Sequence, residues 1–236
     1  MAVFDRLAQV NALRQGYESN GWALAQHLFP TEVVDSLLYQ FQTDLGGCKE
    51  DYKGRWEKGP FTNAHCFESY AYDYPAQATM LWSMTPWMQA LTGKELLPAH
   101  SYFRVYRKGD ICKLHLDRCA AEQSISLTLG YSDDIEWPLW VSEQRYEDEV
   151  KKNVHGELLP PGQKLSFYKV PMKAGDAVIY KGMNHIHGRN DPNPNTWSAH
   201  LFLHWVDKNG PYAEHAFDGN AETVVRKARF EFPEAV

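Results

Sequence analysis

The chain has 236 residues, 44% hydrophobic and 23% charged, which suits a globular protein with a substantial buried core. Its formal net charge is −6 with no basic block, which excludes the electrostatic footprint of a nucleic-acid binder. No uncharged apolar run reaches the roughly 18 residues of a membrane span, and with no basic start followed by an apolar stretch at residues 1–6 no signal peptide is expected.

Taken in order, the N-terminal third reads as partly helical. Gly21 to Leu28 has the texture of a short strand entering a turn at Pro30. Thr31 then caps a helix, with Glu32 favourably placed at its positive end. Val33, Val34, Leu37, Leu38, Phe41 and Leu45 fall on one helical face, and Gly46-Gly47 ends it. Residues 51–74 show no steady period and predict an irregular loop with one short strand. A second helix is expected over 76–91, where Met80, Leu81, Met84, Trp87, Met88 and Leu91 recur at helical spacing.

From Ser101 the pattern turns to strands: 101–106, 124–131, 165–170, 177–180 and 197–206. Turn signals separate them at Lys108-Gly109-Asp110, Pro160-Pro161-Gly162, Ala174-Gly175-Asp176 and 190–195. Many short strands without intervening helices indicate an antiparallel jelly roll. The charged insertion 143–157 fits either a solvated loop or a lid over a barrel mouth. The four cysteines, Cys48, Cys66, Cys112 and Cys119, form no CxxC pair and read as reduced thiols, so a soluble cytoplasmic protein is expected.

His115-Leu116-Asp117 is the leading chemical motif. Two imidazoles and one carboxylate hold Fe(II) on one face and leave adjacent positions open. On a strand, positions i and i+2 point to one side, so His115 and Asp117 are expected to converge on one ion. A third ligand must come from a distant strand, where His185 and His187 are candidates; two positions apart, both are expected to face the same side of that strand, so parity does not choose between them. His100, His155, His200, His204 and His215 are each read first as packed or surface residues.

The run Tyr106-Arg-Lys-Gly109-Asp-Ile-Cys-Lys-Leu-His115-Leu-Asp117 resembles the YxxGxxxxxHxD stretch of the prolyl-4-hydroxylase-like Fe(II)/2-oxoglutarate dioxygenases. Gly175-Asp176-Ala-Val-Ile-Tyr180 is similar to the strand preceding that family's distal ligand, and His187-Gly188 and the strand 197–205 follow in the family's order. The resemblance implies a mainly β fold with bracing helices (α+β), a double-stranded β-helix of the jelly-roll, cupin-like type. It implies one domain over 1–236: helix-rich support over 1–98, the β-helix core over 99–210 and a C-terminal extension over 211–236. It also favours His187 over His185 as third ligand, since Gly188 follows His187 as often happens in the family.

The implied activity couples oxidative decarboxylation of 2-oxoglutarate to hydroxylation of a C–H bond, with Fe(II) as cofactor and O2 as oxidant. Family members usually pair the far carboxylate of 2-oxoglutarate with a basic residue two positions before a serine on the last strand. Here Ser198 is preceded by Thr196, so the cation must come from elsewhere; Arg104, Arg118 and Arg189 are candidates, with His200 a further one. Tyr106 matches the family tyrosine of this region, and Thr128 lies on a strand that usually contributes to it. Trp137, Trp140, Tyr102 and Phe103 are candidates for excluding water. Pro138-Leu139-Trp140 stands where many peptidyl-prolyl hydroxylases have glycines, which favours a small-molecule or amino-acid-like substrate. The missing cation leaves an alternative open: a cupin-like Zn or Mn enzyme, or a ligand-binding sensor, that does not use 2-oxoglutarate.

Overall fold

The computed structural model describes residues 6–46, 54–71, 74–146 and 165–219. Cys48, the turn at 160–162, most of the insertion 143–157 and the C-terminal residues from 220 onward lie outside these. Among the described residues there are three α-helices: α1 (Arg6–Asn20), α2 (Thr31–Gly46) and α3 (Pro75–Thr92).

Eleven strands follow in chain order among the described residues: β1 (Trp22–Ala25), β2 (Arg55–Glu57), β3 (Cys66–Tyr70), β4 (Leu96–Arg107), β5 (Cys112–His115), β6 (Gln123–Tyr131), β7 (Leu139–Ser142), β8 (Phe167–Val170), β9 (Ala177–Tyr180), β10 (His187–Arg189) and β11 (Trp197–Asp207). They form a seven-stranded sheet, β1-β9-β6-β11-β4-β3-β2, and a four-stranded sheet, β5-β10-β7-β8. Every strand pairing is antiparallel, giving the two facing sheets of a jelly roll.

The larger sheet has two unlike faces, and strand alternation is the reason. On β11, Ala199, Leu201, Leu203 and Trp205 join the main core with Ile125, Leu127 and Leu129 of β6. That core packs on the helices through Val10 of α1, Val34 and Phe41 of α2, and Leu81, Met84, Met88 and Leu91 of α3. The Trp205 indole N–H donates to Thr85 Oγ1 at 2.9 Å, tying β11 to α3. The intervening residues of these strands, Ser198, His200, Phe202 and His204, and Ser124, Ser126 and Thr128, point the other way, toward the smaller sheet. All seven are buried. The inward face of β6 and β11 is therefore largely polar, the main apolar core lies on their other face under the helices, and smaller apolar clusters such as Val141, Met172, Val178 and Tyr180 flank the polar residues between the sheets.

Several expectations need correction. Val33 is 42% exposed, so the buried stripe of α2 is Val34, Phe41 and Leu45, with Leu37 and Leu38 half-buried. α1 was not foreseen: only Val10, Leu13 and Tyr17 mark its inner face, a sparse signal. The region 51–74 carries two strands, β2 and β3, and both extend the larger sheet, as does β1. Residues before 99 thus supply three strands of the β structure as well as the helices.

Gly175 closes the turn before β9 with φ of 87°, and a Cβ there would lie 2.3 Å from the Phe29 carbonyl oxygen. Both the left-handed backbone and the close approach demand glycine. Gly175→Ala is expected to destabilise the fold by about 2–3 kcal/mol, readable as a lowered midpoint in urea unfolding; an unchanged midpoint would contradict the packing described.

Candidate metal centre

The smaller sheet assembles the centre. β10 runs between β5 and β7, and its first residue, His187, stands directly opposite His115, the last residue of β5. The strands approach this closely because Gly188 has no side chain: a Cβ there would meet the carbonyl oxygens of Cys112 and Lys113 at 2.6 and 2.8 Å. His115 and His187 are buried, with ring centroids 4.5 Å apart.

Asp117 does not sit on the strand with His115. β5 ends at His115, and Asp117 lies in the turn beyond it, held by its backbone N–H donating to Gly182 O at 3.0 Å. The alternation expected of a strand is thus not what aims its carboxylate. The turn does that, helped by Gly182, where a Cβ would fall 2.1 Å from Asp117 Oδ2.

Each imidazole is oriented by its own backbone. His115 Nδ1 lies 2.8 Å from Lys113 O, and His187 Nδ1 lies 2.9 Å from His185 O. A carbonyl only accepts, so both Nδ1 atoms carry the proton and both Nε2 lone pairs are free to bind. His115 Nε2 is 3.6 Å from Asp117 Oδ1, and His187 Nε2 is 3.5 Å from Asp117 Oδ2. The ligand atoms of the three residues lie within 4.8 Å of one another. Phe61 stacks on His115 with centroids 3.9 Å apart, and the Tyr180 ring packs beside His187. Burial opposes ionisation of Asp117, but contact with the His187 and His115 rings, which attract the carboxylate when a proton occupies Nε2 in place of a metal, outweighs it and holds its carboxyl well below the usual carboxylate range. Two neutral imidazoles, one anionic carboxylate and fixed tautomers make a donor set suited to a divalent transition metal with open positions.

His185 does not join this group. It precedes β10, its Nδ1 bonds Ser142 O at 3.0 Å, and its ring packs on Gly21, where a Cβ would lie 2.2 Å from Nε2. The expectation that His185 and His187 share one strand face therefore does not hold.

The four candidate cation sources differ sharply in what they already hold. Arg104 is buried but paired with Glu68 at 2.6 Å, and it also donates to Tyr106 Oη at 2.9 Å. Arg118 is half-exposed and paired with Asp218 at 2.5 Å. Arg189 is 1% exposed and has no carboxylate partner among the described residues. Its Nη2 reaches Ser126 Oγ at 3.3 Å, Met172 Sδ at 3.6 Å and His200 Nδ1 at 3.3 Å, while its Nε has no partner. Because the guanidinium can only donate, His200 Nδ1 accepts and His200 Nε2 bears the proton; that Nε2 is also unpartnered. Burial and the adjacent Arg189 keep the His200 imidazole neutral, well below its ordinary pKa.

Tyr106, Tyr131 and Trp137 ring this spot, with the Trp137 ring 5.4 Å from the guanidinium. Thr128 Oγ1 lies 3.4 Å from His200 Nδ1. Ser198 is turned to other work, donating to Asn193 Oδ1 at 2.7 Å. Of the four aromatic candidates, Trp137 and Tyr102 face the interior. Phe103 belongs to the helix-side core, and Trp140 packs with Lys169 at 4.1 Å on the other face of β7. Gly182, Phe61, Tyr180, Ser126 and His204 were not singled out from sequence. For His204 a signal existed: it lies four residues beyond His200 on one strand, hence on the same inward face.

No family model and no curated protein matches the chain. Solved structures do match in fold. They include the non-haem alpha-ketoglutarate-dependent epimerase SnoN of nogalamycin biosynthesis, at 12% identity and a TM-score of 0.61 over 97% of this chain and 93% of that one. A prolyl-4-hydroxylase from Pseudomonas putida matches at 15% identity and 0.57, over 85% and 100%. HygX from Streptomyces hygroscopicus, solved with nickel and 2-oxoglutarate bound, matches at 11% and 0.57, over 83% and 86%. The mostly β jelly roll is thus the fold of Fe(II)/2-oxoglutarate oxygenase structures. No helix among the described residues is long and apolar enough to cross a membrane.

Gly182→Ala isolates the metal centre from the fold. A new Cβ meets the tips of two side chains, Asp117 Oδ2 at 2.1 Å and Ser124 Oγ at 2.8 Å, and no backbone atom as close, so both can turn away at little cost to folding. The apoprotein is expected to melt within about 4 °C of wild type while Co(II) affinity falls at least about tenfold. Unchanged Co(II) binding in a visible-absorption titration would contradict the geometry.

Proposed function

We propose that the protein is an Fe(II)/2-oxoglutarate-dependent oxygenase in which His115, Asp117 and His187 hold the iron and Arg189 binds the far carboxylate of 2-oxoglutarate. The observation that carries this reading is the pairing of a metal donor set with a buried, carboxylate-free arginine on the same strand. His187 and Arg189 are two residues apart on β10, so their side chains leave the strand on one side. Two residues of strand rise about 6.6 Å, a span comparable to a five-carbon dicarboxylate.

A buried cation without an anion is costly, and so is a buried N–H without an acceptor. Arg189 Nε and His200 Nε2 are both left in that state, and a carboxylate would satisfy both. Tyr106 and Thr128 complete the cage: Tyr106 Oη already accepts from Arg104, leaving its O–H to donate to an anion. The basic residue absent at position 196 is thereby replaced from the neighbouring sheet, which removes the main support for an enzyme or sensor without 2-oxoglutarate.

Iron held by His115, Asp117 and His187 would, with O2 and 2-oxoglutarate, supply an oxidant able to attack an unactivated C–H bond, O2 being reduced as 2-oxoglutarate is oxidatively decarboxylated. The chain's own part is to hold the ligands, neutralise the carboxylate and keep water out. Trp137, Tyr106 and Tyr131 wall the carboxylate site, and Phe61 and Tyr180 wall the two imidazoles. The substrate is proposed to be a small molecule. SnoN was solved with nogalamycin RO and HygX with hygromycin B, both small molecules. The net charge of −6 gives no support to a nucleic acid, and a cytoplasmic location fits the unpaired Cys66, Cys112 and Cys119.

Anaerobic addition of Fe(II) and 2-oxoglutarate is expected to give a weak visible charge-transfer band in wild type and none in His115→Ala. Arg189→Met is expected to weaken 2-oxoglutarate binding by about 2–5 kcal/mol. Because it removes an unpaired buried charge, it should leave apoprotein stability unchanged or raised. Absence of the band in wild type, or full 2-oxoglutarate affinity in Arg189→Met, would refute the assignment.

A further inference from the structure

Asp117 is the least constrained of the three proposed ligands by its own element, because it stands in a turn past the end of β5. Its carboxylate nonetheless has a partner on the facing sheet. Ser124, the second residue of β6, is fully buried, and its Oγ lies 3.4 Å from Asp117 Oδ2 and 3.4 Å from Ala121 O. On its other side Ser124 Oγ lies 2.9 Å from Nδ1 of His204, which is cross-strand from Ser124 on β11. His204 is 2% exposed, and its ring stacks on His100 with centroids 4.2 Å apart.

Hydrogen-bond chemistry gives this chain a direction. Asp117 Oδ2 and Ala121 O only accept, so the single Ser124 proton is best used toward them. The hydroxyl oxygen is then free to accept from His204 Nδ1–H. The opposite tautomer would place a proton on His204 Nε2, which has no partner. A buried orphan N–H costs more than a buried unused lone pair, which favours the proton on Nδ1. His200, four residues earlier, is forced into the other tautomer by Arg189, so the two inward histidines of β11 are set oppositely by their neighbours.

We propose that Ser124 and His204 are positioning residues for the metal centre: His204 Nδ1–H holds the Ser124 hydroxyl, which in turn donates to Asp117 Oδ2 and aims the carboxylate between His115 and His187. Gly182 leaves room beside this contact: a Cβ there would fall 2.1 Å from Asp117 Oδ2 and 2.8 Å from Ser124 Oγ. The inference rests on the reading of His115, Asp117 and His187 as metal ligands. It assigns Asp117 a buried relay reaching across to the larger sheet, and no part of the 2-oxoglutarate site enters it.

The test is an anaerobic Co(II) titration of full-length apoprotein followed by visible d–d absorption, with thermal melts of each apoprotein alongside. Ser124→Ala and His204→Leu are expected to weaken Co(II) binding about 10–100-fold and to alter the d–d band, with apo melting temperatures within about 4 °C of wild type. His204→Asn places its Nδ2–H where the imidazole carries Nδ1–H, so it is expected to restore affinity to within threefold of wild type. Wild-type affinity and band shape in both Ser124→Ala and His204→Leu would overturn the proposal. So would a His204→Asn protein as weak as His204→Leu. His115→Ala separates the two levels: if it binds Co(II) like wild type, the metal centre itself is misassigned and the relay falls with it. If it does not bind while the relay variants behave as wild type, only the relay falls.

Discussion

The pairing of β10 with β5 sets the geometry of everything inside this barrel. His187 and His115 are opposed residues of that pair, and the pair closes only because Gly188 presents no Cβ to the Cys112 and Lys113 carbonyls. Once the strands are in register, each ring is locked by a carbonyl two residues earlier in its own chain, Lys113 for His115 and His185 for His187. Both Nε2 atoms then face Asp117. Arg189, two positions along β10, is carried inward by the same register, so one strand presents a candidate metal ligand and a buried cation with no carboxylate partner among the described residues.

Such a centre needs a rigid frame, and the larger sheet supplies it by separating its faces. The face toward the helices carries Leu201, Leu203, Trp205, Ile125 and Leu127 and is the source of most of the apolar burial. The face toward the smaller sheet is free to be polar: Ser124, Ser126, Thr128, His200 and His204 are all buried there. Burial keeps the histidines neutral, with His204 lowered to about 4, so they serve as hydrogen-bonding groups without adding charge next to the ligands. Unpartnered atoms between the two sheets, such as His200 Nε2 and Arg189 Nε, are the kind of local cost that a binding site retains because a ligand offsets it.

Much of this was legible in the sequence, for identifiable reasons. The long strands β4, β6 and β11 alternate over nine or more residues, long enough for the period to emerge. β5, β7 and β10 are three or four residues long and carry no readable period, although they hold two of the proposed metal ligands. The motif around His115 and His187 named three side chains that the structure brings together, yet the strand argument for Asp117 and the shared-face argument for His185 do not hold, because both assumed strands longer than those that form. The choice among Arg104, Arg118 and Arg189 was out of reach for a different reason. Excluding Arg104 requires knowing that Glu68, 36 residues away, is its cross-strand neighbour on β3. Partners at that separation are a property of register, which local pattern does not encode.

The central claim is that one ion and one dicarboxylate share the interior, bridged by β10. A crystal structure of the anaerobic Fe(II) and 2-oxoglutarate complex, with anomalous scattering recorded at the iron edge, addresses it directly. The account predicts a single anomalous peak bonded to His115 Nε2, His187 Nε2 and an Asp117 oxygen, with the far carboxylate of 2-oxoglutarate against Arg189 and His200. Iron bound through His185, or a 2-oxoglutarate carboxylate paired with Arg104 or Arg118 and not with Arg189, would contradict it.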